Sequence, residues 1–232
     1  MDKKPYLWYA YVKFYDARVK KPFAPYIILC NCEGTEQLQS RQEKELPMDL
    51  IVTKWIALEA TAILARDKEE QLRERFPADL IDTARQFADQ MSVKRELEIV
   101  RSGGESFTYI LGEGGIFTAL WKLAQEAGAG LEADLRKIPI RQETVEICEH
   151  FDINPYNALS GGSLLAAVPD GAAFMDALRR EGIFSAMIGR LTDGNDRILW
   201  NDGNKRYLDR PQREELYRIY EKIGYRTVEQ IN

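Results

Sequence analysis

Tyr109-Ile-Leu-Gly-Glu-Gly-Gly-Ile-Phe-Thr-Ala-Leu-Trp121 is the stretch on which the reading of this chain turns. Gly112, Glu113, Gly114 and Gly115 separate a short apolar run from an amphipathic segment. In that segment Ile116, Phe117, Leu120, Leu123, Ala124 and Ala127 recur at helical spacing, which predicts a helix with one buried face. A Gly-rich turn at a helix N-terminus points backbone N–H groups outward, with the positive end of the macrodipole behind them. That setting suits a phosphate or a carboxylate. The same glycines also meet a purely structural need, a tight turn and a close approach of backbones. A short Gly cluster is a weak signal between the two.

Composition narrows the field. The 232 residues are 45% hydrophobic and 30% charged, which fits one large globular domain or an ordinary domain with an appendage. A net charge of −5 leaves no excess of Lys and Arg for a phosphate backbone, so nucleic acid is not the expected partner. No apolar run approaches the roughly 18 residues of a membrane span. Met1-Asp-Lys-Lys4 is followed by no apolar signal core, so a cytoplasmic, membrane-free location is expected. Cys30 and Cys32 stand far from the single histidine, His150, so no metal site is expected and the thiols read as reduced. Cys148 shares a helix face with Thr144, Val145 and Phe151 and reads as core.

Around the glycine turn the chain alternates strands and helices. Residues 1–48 form an atypical segment: Pro5 to Tyr15 is aromatic and strand-like, Tyr26 to Cys30 reads as a second strand, and Glu33 to Pro47 is a polar linker. Five tyrosines fall there (Tyr6, Tyr9, Tyr11, Tyr15 and Tyr26). From residue 49 onward Leu50–Ile56, Leu131–Leu135, Ser163–Val168 and Ile183–Leu191 read as strands. Arg197–Trp200 and Lys205–Leu208 form a hairpin across Asn201-Asp-Gly-Asn204. Helices are expected over Asp67–Arg75, after Pro77 along Leu80, Ile81, Ala84, Phe87, Ala88 and Met91, over Ser92–Val100, Gln142–Phe151 and Ala172–Arg180, and from Pro211 to about Ile223. The expected fold class is α+β, a mixed sheet with helices packed on it.

From about Asp49 to Tyr220 the chain resembles the C-terminal domain of aminoimidazole ribonucleotide (AIR) synthase-related proteins, near the hydrogenase maturation branch that dehydrates a carbamoylated cysteine. The resemblance is carried by Thr53-Lys-Trp-Ile-Ala-Leu-Glu-Ala-Thr61, Gly112-Glu-Gly-Gly-Ile-Phe117 and Lys137-Ile-Pro-Ile-Arg-Gln-Glu-Thr-Val-Glu-Ile-Cys148. It continues through Phe151-Asp-Ile-Asn-Pro-Tyr156, Ser160-Gly-Gly-Ser-Leu-Leu165, Ile188-Gly189 and Thr192-Asp-Gly-Asn-Asp-Arg197. It implies a roughly four-stranded mixed sheet, with the Gly-rich turn facing phosphates or substrate. It further implies dimers and an ATP- and Mg-binding N-terminal domain that supports phosphoryl transfer. Here only about 48 residues precede the matching region, whereas an ATP-binding half is a whole domain. The implied activity therefore requires a partner chain carrying that half; the expected assembly is a homodimer or a complex with such a partner. Tyr109, Ile110 and Gly112 replace the histidine, acidic residue and threonine of the family's turn, and Ala57 and Ala60 stand where relatives often have glycine.

Together these readings give one set of candidates. Glu113 is the candidate catalytic carboxylate. Gly112, Gly114 and Gly115 are candidate anion ligands through their backbone, with Lys54, Arg141 and Ser163 as further ligand-binding candidates and no metal ligand. The ligand class is a nucleotide or a phosphorylated small molecule. The alternative is a non-catalytic dimerisation or protein-interaction module.

Overall fold

The computed structural model describes residues 46–103 and 106–222; the aromatic N-terminal segment read from the sequence lies outside them. The first strand, β1 (Met48–Thr53), stops short of the expected Ile56. Lys54 and Ala57 there take positive φ values of 53° and 56° and turn the chain into α1 (Leu58–Asp67). Helices α2 (Glu69–Arg73), α3 (Ala78–Gln86) and α4 (Lys94–Ser102) follow. Phe87–Gln90 tightens into a 3₁₀ turn, so Ala88 of the expected stripe faces solvent while Phe87 stays buried.

Next come β2 (Phe107–Ile110), α5 (Gly115–Ala127) and β3 (Gly130–Asp134). Gly128, with φ 60°, ends α5 in the left-handed conformation favoured after a helix. Then α6 (Gln142–His150), β4 (Leu164–Val168), α7 (Gly171–Arg180) and β5 (Ser185–Thr192) alternate. β6 (Arg197–Asn201) and β7 (Asn204–Tyr207) form the hairpin. Its central residues Asp202 and Gly203 both have positive φ, as a two-residue turn matching strand twist requires.

The strands form one sheet in the order β2-β4-β1-β5-β3-β6-β7. Every neighbouring pair is antiparallel except β3 and β6. The sheet is therefore mixed, as expected, but it has seven strands rather than about four. The central four, β4-β1-β5-β3, are extended at both edges. The apolar run before the glycine turn pairs with β4, and the hairpin pairs with β3 through β6. Neither edge pairing is visible in local periodicity, because it joins segments far apart in sequence.

Both faces of the sheet carry helices. α5 lays Ile116, Ala119, Leu120 and Leu123 on Leu50, Val52, Leu131, Leu165 and Leu199. Fully burying each such leucine contributes about 1.5–3 kcal/mol. Arg197 of β6 holds its guanidinium 4.1 Å from the Trp121 ring of α5, a cation–π contact that offsets the buried Nε having no acceptor among the described residues. On the opposite face α4, with Val93 just before it, and α7 cover Ile51, Leu164, Ala166 and Val168 with Val93, Val100, Phe174 and Leu178.

A third cluster joins α1, α3, α6 and the last helix, α8 (Leu216–Lys222). α8 starts later than the expected Pro211. Residues 208–214 instead run as an irregular strap, because Glu214 turns inward to 3% exposure and breaks the helical pattern there.

Candidate functional site

The glycine turn lies between β2 and α5, held open by two residues in the left-handed region, Gly114 (φ 73°) and Gly115 (φ 61°). A side chain on Gly115 would collide with the carbonyls of Tyr156 and Ala158, and one on Gly114 with the Thr118 hydroxyl. The loop carrying Tyr156 and Ala158 thus presses against the turn from outside and Thr118 of α5 from within, and this is the close approach for which glycine is needed.

Four amides at the start of α5, those of Gly114, Gly115, Phe117 and Thr118, are already engaged. Gly115 N–H donates to Gly112 O (3.1 Å), Phe117 N–H to Tyr156 O (3.2 Å) and Thr118 N–H to Gly114 O (3.3 Å). Gly114 N–H donates to Glu214 Oε2 at 2.8 Å. The other carboxylate oxygen of Glu214 accepts from Leu159 N–H (2.9 Å) and Leu216 N–H (3.2 Å). The helix N-terminus therefore does face an anion, and that anion is the protein's own. Burial pushes the Glu214 carboxyl up, the amides of Gly114, Leu216 and Leu159 pull it down, and nearby Glu113 adds a smaller upward push. The sequence offered no sign of this, since Glu214 sits in what reads as the solvated first turn of a helix.

Beside the turn, under the strap, lies a cavity of about 200 Å³. Phe117, Asn154 and Asn157 line one side, and Arg206, Arg210 and Gln212 are among the residues on the other. The Phe117 and Tyr156 rings stack with centroids 5.2 Å apart and 9° between planes, and the Arg206 guanidinium lies 5.3 Å from the Phe117 centroid. Burial raises the Tyr156 phenol, with Arg206 opposing it. Among the described residues neither Arg206 nor Arg210 has a carboxylate within ion-pair distance. These two arginines were not among the sequence candidates. The local pattern, a hairpin strand and a Pro-containing loop, reads as an ordinary solvated surface.

The sequence candidates fall into two groups joined by one loop. Gly112, Gly114 and Gly115 form the turn, and exposed Glu113 projects from it. The Ser160–Ser163 loop binds the turn from one side, with Ser160 N–H donating to Gly112 O and Leu111 N–H to Ser163 O. From its other side Ser163, fully buried, donates its hydroxyl to Trp55 O at 2.6 Å. The ammonium of Lys54 donates to the carbonyls of Gln90, Ser92 and Gly162 (3.1, 2.6 and 2.7 Å). With its three protons so used, its 2.8 Å approach to buried Glu96 is an ion pair.

Arg141 lies 5.1 Å over Trp55, which stacks on Phe184 with centroids 5.0 Å apart. Its guanidinium also bonds Glu143, at 3.2 Å. Lys54 and Arg141 thus sit around Trp55, apart from the glycine turn. In α6 burial pushes the Cys148 thiol up to about 12, that of an inert core residue.

Mg–ATP is the cofactor that the sequence resemblance implies, and the turn does not fit it in this arrangement. Gly114 N–H is engaged by Glu214, and among the described residues no three His, Cys, Asp or Glu side chains gather to hold a metal. No helix among the described residues is long and apolar enough to cross a membrane.

Residues 50–201 match the family model for the C-terminal domain of AIR synthase related proteins. The chain is similar to carbamoyl dehydratase HypE of Rhodobacter capsulatus, 34% identical over 116 residues, covering 47% of this chain and 34% of that protein. The match thus spans about a third of the curated relative's length. Among solved structures, E. coli HypE, a hydrogenase maturation protein, aligns with TM-score 0.60 and 22% identity, over 77% of this chain and 54% of that one. A HypE in complex with ATP aligns with TM-score 0.53 and 17% identity, over 71% and 51%. At these identities the two structures speak for the fold alone.

Proposed function

The chain belongs to the AIR synthase related family through that C-terminal domain, and on this premise we propose that it binds a phosphorylated small molecule in the cavity flanked by Arg206 and Arg210. ATP-dependent phosphoryl transfer arises only when a partner chain contributes an ATP-binding half. The observation that carries the reading is the pairing of two guanidinium groups, without carboxylate partners among the described residues, around a cavity beside the α5 N-terminus. Arginine presents a planar fork of donors that matches phosphate geometry. The stacked Phe117–Tyr156 pair offers an apolar surface for the rest of the ligand. A HypE of the same fold is described in complex with ATP, which makes a nucleotide one of the ligands to test.

Thermal unfolding with inorganic phosphate, a pentose 5-phosphate, ADP and Mg–ATP tests the proposal. A ligand at 100 times its dissociation constant adds about 2.7 kcal/mol of stability. The double variant Arg206→Ala/Arg210→Ala is expected to abolish that gain while changing the ligand-free stability by less than about 0.5 kcal/mol, since both side chains are exposed. A wild-type protein indifferent to all four ligands at millimolar concentration would sink the reading.

A further inference from the structure

The hairpin strand β7 is an outer edge of the sheet: among the described residues it pairs with β6 and with no other strand. Leu208 N–H donates to Arg197 O at 2.8 Å, and the direction of hydrogen bonding alternates along a strand. Arg206 therefore spends its backbone groups on Leu199 of β6, while Lys205 and Tyr207 turn theirs away from the sheet. Among the described residues nothing bonds those outward groups. All of β7 is exposed, Tyr207 to 60%. An edge of this kind is a template for an added strand.

The charge along the edge selects what can be added. Lys205, Arg206 and Arg210 fall within six residues, against Asp209 alone, in a chain of net charge −5. Among the described residues none of the three has a carboxylate within ion-pair distance. Arg206 lies over Phe117 on the α5 side. Lys205 and Tyr207 share the other face, with the ammonium 5.2 Å from the ring centroid. Lysine and arginine guard an edge strand against indiscriminate pairing. They guard it against a second copy too. In the symmetric registers with the most overlap, Lys205 meets Lys205 or Arg206 meets Arg206, and like charges directly opposite destabilise. An acidic strand meets no such barrier. We propose that β7 is a docking edge for an extended acidic segment of a partner protein, which adds to it in the antiparallel sense. The segment's backbone bonds Lys205 and Tyr207, and an apolar residue lies beside the Tyr207 ring. Successive carboxylates then reach Arg206 on one face and Lys205 on the other.

The probe is a short blocked peptide with a Val-Glu-Glu run between threonines, and its Val-Lys-Lys counterpart is the control. The full chain is titrated with each, as wild type, Lys205→Glu, Tyr207→Ala and Tyr207→Pro, with amide hydrogen exchange read by NMR. Saturating acidic peptide should slow exchange at Lys205 and Tyr207, whose amides gain acceptors. Arg206 and Leu208, already bonded to β6, should be unchanged. Lys205→Glu should weaken binding by about tenfold, equivalent to about 1.4 kcal/mol. Lys205 is not part of the cavity wall, so this variant keeps whatever phosphate binding the wild type shows, and the two readings are tested separately. Tyr207→Pro removes an outward N–H that β6 does not use. It should weaken binding more than Tyr207→Ala, which keeps that N–H.

No binding of the acidic peptide at millimolar concentration overturns the proposal. Equal binding of the lysine peptide does the same. So does binding that leaves the Lys205 and Tyr207 amides unprotected, which is charge attraction without an added strand. Protection of these amides that grows with protein concentration, without peptide, assigns the edge to a second copy and removes the acidic partner. Wild-type affinity in Lys205→Glu also overturns the proposal, and this variant with the exchange pattern decides the matter if Tyr207→Pro does not fold.

Discussion

Lys54 and Glu59 lie five residues apart and both bind the loop that supports the glycine turn. The Lys54 ammonium holds that loop through Gly162 and neutralises Glu96, which is 2% exposed. Lys54→Ala leaves a buried carboxylate without its cation, which costs about 3–5 kcal/mol. Urea unfolding at neutral pH is the measurement, and adding Glu96→Gln should recover part of the loss. If Lys54→Ala unfolds like wild type, the ion pair is unimportant.

Glu59 accepts from Gly161 N–H at 3.1 Å, and burial raises its carboxyl above the ordinary 4.5 while that bond lowers it. A raised carboxyl binds its proton more tightly folded than unfolded. Its contribution to stability is therefore full below pH 4.5 and is lost as pH rises through the folded value. Glu59→Gln should match wild type near pH 4 and become relatively more stable toward pH 7. A difference that stays flat across that range would contradict the assignment.

At the scale of the element, the glycine turn and α5 act as one unit. Gly115 needs both its positive φ and its missing side chain. Gly115→Ala is expected to cost at least about 2 kcal/mol, from the left-handed backbone and the clash with two carbonyls. Gly112 has neither requirement, so Gly112→Ala should stay within about 0.5 kcal/mol of wild type. Equal losses at the two positions in denaturant unfolding would show the turn to be plastic. Ala57, at φ 56° before α1, shows that alanine also holds a backbone of this kind when the surroundings fix it. There the amide donates to the buried Ser160 hydroxyl at 2.8 Å, which ties α1 to the same loop.

Across the whole molecule, the site is a product of long-range pairing. β2 and α5 deliver the glycine turn, the loop before β4 buttresses it, and the strap after β7 brings Glu214 to it from 100 residues away. Arg206 comes from β7, at the far edge of the sheet from β2, yet it reaches the Phe117 ring on α5. A cavity assembled in this way exists only when both edges of the sheet are in register.

The amino-acid sequence by itself settled the α+β class, the helical stripe of α5, the two-residue hairpin and the family. Each of these is written in local periodicity, in turn chemistry at Asp202-Gly203, or in motifs of ordered spacing. Residue spacing also marked Gly112 to Gly115 as a place for an anion. Only the tertiary structure decided which anion stands there, how many strands the sheet has, and that Arg206 and Arg210 share a cavity. Those outcomes depend on which distant segments meet, and a buried Glu214 looks in sequence like any glutamate on a solvated helix. Its role appears once three backbone amides, two of them from distant segments, are seen to converge on it.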